Sequence, residues 1–246
     1  MRLVFLACAG FGVLSAGIYV WFFSGAFEVT KVEMAVSEKL SGLGVRNYAE
    51  SWLNQERFKI KKSKNIFSVN TEEISALLLE NFPDIKSVSI KKEGSHNLIF
   101  NIEERKPEGI WCRANGCFYF DDAGIAFGES GDSSGFILAT VRDLRGGEVF
   151  KGRLVTDGQW LDSIFLVRDF LPVIGLSAKE FIIPADSFDE FIVETAAGFK
   201  IFMKLSTDIS DQLNSFALAW KEKITPAQKA LMEYVDLKVD RRIYYK

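Results

Sequence analysis

Histidine is the side chain whose charge most readily changes near neutral pH, and the 246 residues contain one, His96. It sits beside Gly94-Ser95, where the surrounding pattern predicts a hairpin turn. Any histidine-dependent triad would have to use it, and neither neighbouring serine lies in a nucleophile-elbow pattern. Asp121-Asp122 is an adjacent carboxylate pair, but it reads as turn chemistry before it reads as a metal or acid–base pair. No His, Cys and carboxylate spacing suits a metal. The glycines form neither a phosphate-binding loop nor a dinucleotide fingerprint. These observations predict no catalytic residue, no metal and no cofactor.

Cys112 and Cys117 carry more information. They bracket Arg113-Ala114-Asn115-Gly116, and a four-residue hairpin loop would set them directly opposite each other. Opposed strand residues lie about 4.5–5.5 Å apart, within reach of a disulfide. A tight two-residue Asn-Gly turn would instead put Ala114 opposite Cys117. Oxidation also depends on the compartment, being favoured outside the cytoplasm. The reading favours a structural bridge over two free thiols, and the spacing is not that of a Cys-x-x-Cys redox pair.

The compartment is indicated by the first residues. From Leu3 to Phe23 the chain reads LVFLACAGFGVLSAGIYVWFF, with no charge. About 20 apolar helical residues cross a hydrocarbon core roughly 30 Å thick. Tyr19, Trp21, Phe22 and Phe23 gather at the far end, where aromatic rings favour the interface. A cleaved signal peptide would have a shorter apolar region, and too little apolar chain precedes Cys8 for a lipoprotein site. Residues 1–2 are therefore expected as a cytoplasmic stub and 3–23 as an uncleaved transmembrane helix. Arg2 gives a weak positive-inside bias, and everything after Phe23 would face outward. With 30 basic and 33 acidic side chains, a net charge of −3 and a pI near 5.5, the composition lacks the basic footprint of a nucleic-acid binder.

Beyond the anchor, Phe27–Val36 alternates as a strand. Tyr48, Trp52, Leu53 and Phe58 recur at helical spacing, predicting a helix over 46–57. Asn70 and Glu73 can cap a second helix, with Ile74, Leu77 and Leu78 as its buried stripe. Strands are expected over Ile85–Lys91 and Leu98–Glu104. Ile66, Phe67, Leu77, Ile85, Val88 and Phe100 are expected in the core of this block. Further strands are expected in 110–120, 124–127, 136–141, 153–155, 181–183, 189–194 and 199–205, with helices over 157–171 and 208–223. Tyr234–Val239 and Arg242–Tyr245 read as terminal strands. The fold class is α+β: a βααββ block over 27–106, then a mixed β-rich domain over 107–246 with two or three helices.

This order resembles the FtsQ/DivIB family of bacterial cell-division proteins. Asn65-Ile66-Phe67-Ser68-Val69-Asn70 is similar to the entry into the second helix of a POTRA domain. Phe82-Pro83-Asp84-Ile85-Lys86-Ser87-Val88-Ser89-Ile90 and Leu98-Ile99-Phe100-Asn101-Ile102-Glu103-Glu104-Arg105-Lys106-Pro107 resemble the two strands that follow in that family. Trp111, Phe118-Tyr119-Phe120-Asp121 and Gly124-Ile125-Ala126-Phe127 resemble its step into the β domain. Tyr234-Val235-Asp236-Leu237-Lys238 resembles its closing strand, although Val239 stands where the family often has an aromatic residue.

The resemblance implies a bitopic division scaffold in the bacterial cytoplasmic membrane that links septal proteins without catalysis. Its expected partners are FtsB/DivIC-like and FtsL-like membrane proteins, plus the bilayer through 3–23, with no nucleic acid and no small-molecule substrate. It also nominates a partner-binding strand: Tyr234, Val235, Asp236, Leu237, Lys238 and Val239, with Arg241, Arg242 and Tyr244 beside it. An exposed edge strand there could take up a strand from another chain. The competing reading of 234–239 is an ordinary core strand with a solvated basic end. Competing functions are a POTRA-bearing envelope transport or assembly component, and an anchored envelope enzyme.

Overall fold

The computed structural model describes residues 10–17, 19, 27–35, 44–54, 56–57, 60–61, 65–131, 138–239 and 242–246. The expected span over 3–23 lies largely outside them. Within it, 10–17 are helical, and Phe11, Val13 and Leu14 are exposed. Among the described residues no helix is long and apolar enough to cross a membrane. The chain divides into two compact units, Met1–Arg105 and Lys106–Lys246.

In chain order the first unit contains β1 (Lys31–Ala35), α1 (Val45–Leu53), the short strands β2 (Glu56–Arg57) and β3 (Ile60–Lys61), α2 (Thr71–Asn81), β4 (Ile85–Glu93) and β5 (Asn97–Glu104). Its sheet runs β1-β5-β4, with β1 parallel and β4 antiparallel to β5. The start of α2 follows from its cap, since the Asn70 side chain accepts the Glu73 N–H at 3.1 Å and relieves one of the free amides of the first turn. Ile74 and Leu78, one helical turn apart, are fully buried and meet Val45, Ala49 and Trp52 of α1 in one core with Ile85, Leu98 and Phe100. Phe67 departs from expectation, being 48% exposed while Ile66 is 1% exposed. The turn at 65–68 explains this. Asn65 Oδ1 accepts the Phe67 N–H, leaving Ile66 and Val69 to enter the core while Phe67 packs edgewise on Phe27.

The second unit contains β6 (Gly109–Arg113), β7 (Gly116–Phe120), β8 (Ala126–Ser130), β9 (Ala139–Asp143), α3 (Gly158–Phe170), a 3-10 turn (Leu171–Ile174), β10 (Ala178–Ile183), β11 (Glu190–Thr195), β12 (Lys200–Lys204), α4 (Ile209–Glu222), α5 (Pro226–Ala230), β13 (Tyr234–Asp236) and β14 (Tyr244–Tyr245). One nine-stranded sheet takes the order β14-β13-β12-β11-β10-β9-β6-β7-β8. Period-two alternation decides which face is buried: Phe191, Val193, Ile201, Met203 and Val235 have no exposed surface. They share one core with Trp160, Ile164 and Val167 of α3 and Leu213 and Phe216 of α4. Gly109 permits a close approach within the sheet, because a Cβ there would lie 2.4 Å from the Phe120 ring.

Two details of this unit differ from the pattern reading. Residues 153–155 form only the isolated bridge Ile125–Leu154. The segment crosses the start of β8, and Leu154 is 61% exposed. The pattern places no helix at α5, the third in a unit expected to hold two or three. Thr225 caps it through a reciprocal box with Gln228, and Pro226 fills its first turn, where a missing N–H costs nothing.

Candidate functional site

The structure assembles polar chemistry in two places in the second unit. The first is the β6–β7 hairpin tip. Cys112 pairs with Cys117 and Arg113 with Gly116, so the turn is Ala114-Asn115, a two-residue loop displaced by one position from the Asn-Gly alternative. That register brings the cysteines opposite each other with Cα atoms 4.0 Å apart, and they are joined by a disulfide. Asn115 extends the constraint, giving its amide to the Val149 carbonyl at 2.9 Å and accepting the Val149 N–H at 3.0 Å. Beside it, the buried Asp143 carboxylate accepts from Arg113 at 2.7 Å and from Arg145 at 2.9 Å. Arg145 also lies over the Trp160 ring, 4.3 Å from its centroid. Burial pushes the Asp143 carboxyl up, but hydrogen bonds from Arg145 and Arg113 outweigh it and hold the group below the ordinary carboxylate range.

The second place is the nominated partner strand. β13 is not the sheet edge: it lies parallel to β12 on one side and antiparallel to β14 on the other. Val235 and Leu237 are core residues, 0% and 2% exposed, because alternation along the strand points them at the helices. They cannot offer side chains to a partner. Tyr234, Asp236 and Lys238 are half-buried, whereas Val239, Arg242 and Tyr244 are exposed. Arg241 lies outside the described residues. The edge has therefore moved from 234–239 to Tyr244–Tyr245, which the pairing Val235↔Tyr245 and Asp236↔Tyr244 holds in place.

Around this edge the polar contacts are shallow. Lys238 reaches Glu190 at 3.0 Å, and that hydrogen bond raises the ammonium above its ordinary value. Asp236 Oδ1 accepts the Lys238 N–H at 2.9 Å. Tyr234 packs edgewise on Phe202 with ring centroids 6.0 Å apart. A hydrogen bond to Tyr244 raises the Arg242 guanidinium further above its ordinary value. A cleft of about 260 Å³ beside α4 is lined by Asp208, Asp211, Gln212, Val239, Arg242 and Ile243. It is small and polar beside the mostly apolar pockets that hold small molecules.

The other chemically suggestive residues serve structure. His96 lies in the β4–β5 turn with Nδ1 2.9 Å from Ser95 Oγ. Asp121 is 1% exposed, and its Oδ1 accepts the N–H groups of Ala123 and Ile125. That is turn chemistry. Among the described residues no group of three or more His, Cys, Asp or Glu side chains could hold a metal ion.

The fold is thus a small α+β unit followed by a β-rich unit, with its polar chemistry spent on turns, ion pairs and a strand edge. Residues 55–105, from the β2–β3 hairpin to the end of β5, match the family model of the POTRA domain, FtsQ-type. The chain contains an FtsQ-type POTRA domain, which supports the FtsQ/DivIB resemblance. The match covers roughly a fifth of the sequence, and β1 and α1 precede it. No curated protein matches the chain.

Proposed function

We propose that this protein is a non-enzymatic division scaffold of the FtsQ/DivIB kind, anchored in the bacterial cytoplasmic membrane by residues 3–23 with both units outside the cytoplasm. The observation that carries the reading is the FtsQ-type POTRA domain at 55–105, followed by a β-rich unit. The Cys112–Cys117 disulfide supports the outward orientation, because such bonds persist in oxidising compartments. The uncharged run 3–23 supports the anchor.

The scaffold acts by holding partners together at the membrane. Its β-rich unit offers main-chain pairing at the β13–β14 edge to a membrane protein of the FtsB/DivIC type, itself associated with an FtsL-type chain. Strand addition provides affinity through backbone bonds, and confinement to the bilayer raises the local concentration of the participants. Depleting the protein in its host should produce filaments with incomplete septa. A charge-reversed Arg241→Glu, Arg242→Glu protein, expressed in its place, should capture less of the crosslinked partner. Normal septation on depletion overturns the division role; unchanged capture by the folded double variant removes the basic segment from the interface.

A further inference from the structure

The strand that closes the β13 edge is short and little buried. β14 is two residues long, and both of its side chains face solvent, Tyr244 at 48% and Tyr245 at 39% exposure. No described residue of the 242–246 segment is buried. Its apolar anchor is Ile243, half-buried against the core; the rest of its hold is backbone, the Lys246 N–H donating to the Tyr234 carbonyl at 3.2 Å and the Glu233 N–H to the Lys246 carbonyl at 2.7 Å. A solvent-exposed Lys246–Glu233 pair adds little. On its other side β13 is paired to β12, where Ile201 lies fully buried opposite Val235. The two neighbours of β13 therefore differ in direction and in burial: β12 pairs with it in parallel inside the core, and β14 pairs antiparallel with its side chains in solvent. Segments with few buried apolar contacts open locally at far lower cost than the global fold.

We propose that residues 242–246 are an intramolecular stand-in for a partner strand: they cover the β13 edge until an extended segment of another chain replaces them, entering antiparallel to β13. This rests on the strand-addition reading above and adds its regulation. The occupant's chemistry is read from the segment it displaces. The site takes an aromatic or β-branched residue opposite Val235 and one opposite Asp236, where Tyr245 and Tyr244 now lie. It takes a cation near Glu233, in the place of Lys246. A tethered strand is present at an effective concentration that reaches the millimolar range for short flexible connections, so it selects against weak or accidental strands. It also blunts an edge that would otherwise invite aggregation.

The test uses a fluorescent peptide with the sequence of residues 239–246 as probe and three forms of the 246-residue protein. These are the intact chain, a deletion of 242–246, and a chain stapled by Asp236→Cys with Tyr244→Cys, which are directly opposed. The deletion variant should bind the peptide at least about tenfold more tightly than the intact chain, and the stapled form should not bind it at all. Binding should protect the Tyr234 and Asp236 amides, which face the open edge, from hydrogen exchange. Equal binding by all three forms, or no binding by a deletion variant whose β12 amides stay protected, overturns the proposal. The intact chain alone gives a second measurement that needs no deletion. The Lys246 and Glu233 amides should exchange about a hundredfold faster than those of β12, and equal protection also overturns the proposal. These outcomes are independent of septation and of the membrane partner: loss of the division role would leave them untouched, whereas failure here would leave a scaffold with a permanently closed edge.

Discussion

Two hairpins of the same sheet, β6–β7 and β13–β14, have short ladders of similar kind and opposite commitments. At the first, a disulfide, a double hydrogen bond from Asn115 to Val149 and a carboxylate between two arginines all constrain a few residues. The central charge, Asp143, has no exposed side-chain surface. At the second, the Lys246–Glu233 pair lies in solvent and the Lys238–Glu190 pair is only half-buried. The difference teaches where this fold is fixed and where it can be remade. Buried charge is costly to separate, because each partner would remain desolvated and alone. Exposed charge separates into water at little cost.

The largest effect should come from breaking the fixed end. Asp143→Ala leaves Arg113 and Arg145 converging without a counter-charge and should destabilise the protein by about 3 kcal/mol, read as a shift in chemical denaturation of the second unit. The same carboxylate predicts a pH dependence with a definite sign. Its folded pKa is depressed, so its stabilisation is fully present above the unfolded value of about 3.9 and is lost as pH falls through the folded one. The gap in stability between the native protein and Asp143→Asn should narrow on acidification toward pH ~3. A gap that stays constant would mean that the arginines do not stabilise the charge.

Next in size is the disulfide. Joining cysteines only five positions apart closes a small loop, for which chain-entropy arguments give about 2 kcal/mol. Cys112→Ser with Cys117→Ser should lower stability by that amount while Asn115 and Asp143 keep the hairpin tip in register. If the pair loses much more, the tip depends on the covalent bond, and the polar network contributes less than its burial suggests.

The sequence was most readable where one residue type can do only one thing. Asn70 followed by Glu73 marked α2, and the cap is present. The paired aspartates after β7 read as a turn, and Asp121 makes one. α5 carried an equally plain signal in Thr225-Pro226-Ala227-Gln228, a capping box with proline in the first turn, yet its single turn has no buried residue to show in a hydrophobic pattern. Phe67 failed in the opposite direction: hydrophobicity predicted burial, but the direction of a side chain in a turn is set by the backbone around Asn65. The edge at 234–239 was illegible for a topological reason. Nothing local to Tyr234–Val239 reveals that residues 244–245 return to cover it, since pairing between strands is a property of the whole sheet.

The smallest expected effect lies at the second hairpin and bears most directly on the contrast. Lys238 bonds Glu190 at 3.0 Å and lies 5.9 Å from the Phe202 ring centroid, so it has an anion and an aromatic face. Both contacts are open to water, and the lysine must give up side-chain freedom to keep them. Lys238→Ala should therefore cost only about 0.5 kcal/mol, and 0.5–1 M salt should remove most of that difference. A loss of 2 kcal/mol or more, insensitive to salt, would place Lys238 in the same category as Asp143. The end of β13 would then be pinned to β12 and β11 by a structural ion pair, as firmly as the β6–β7 tip is held.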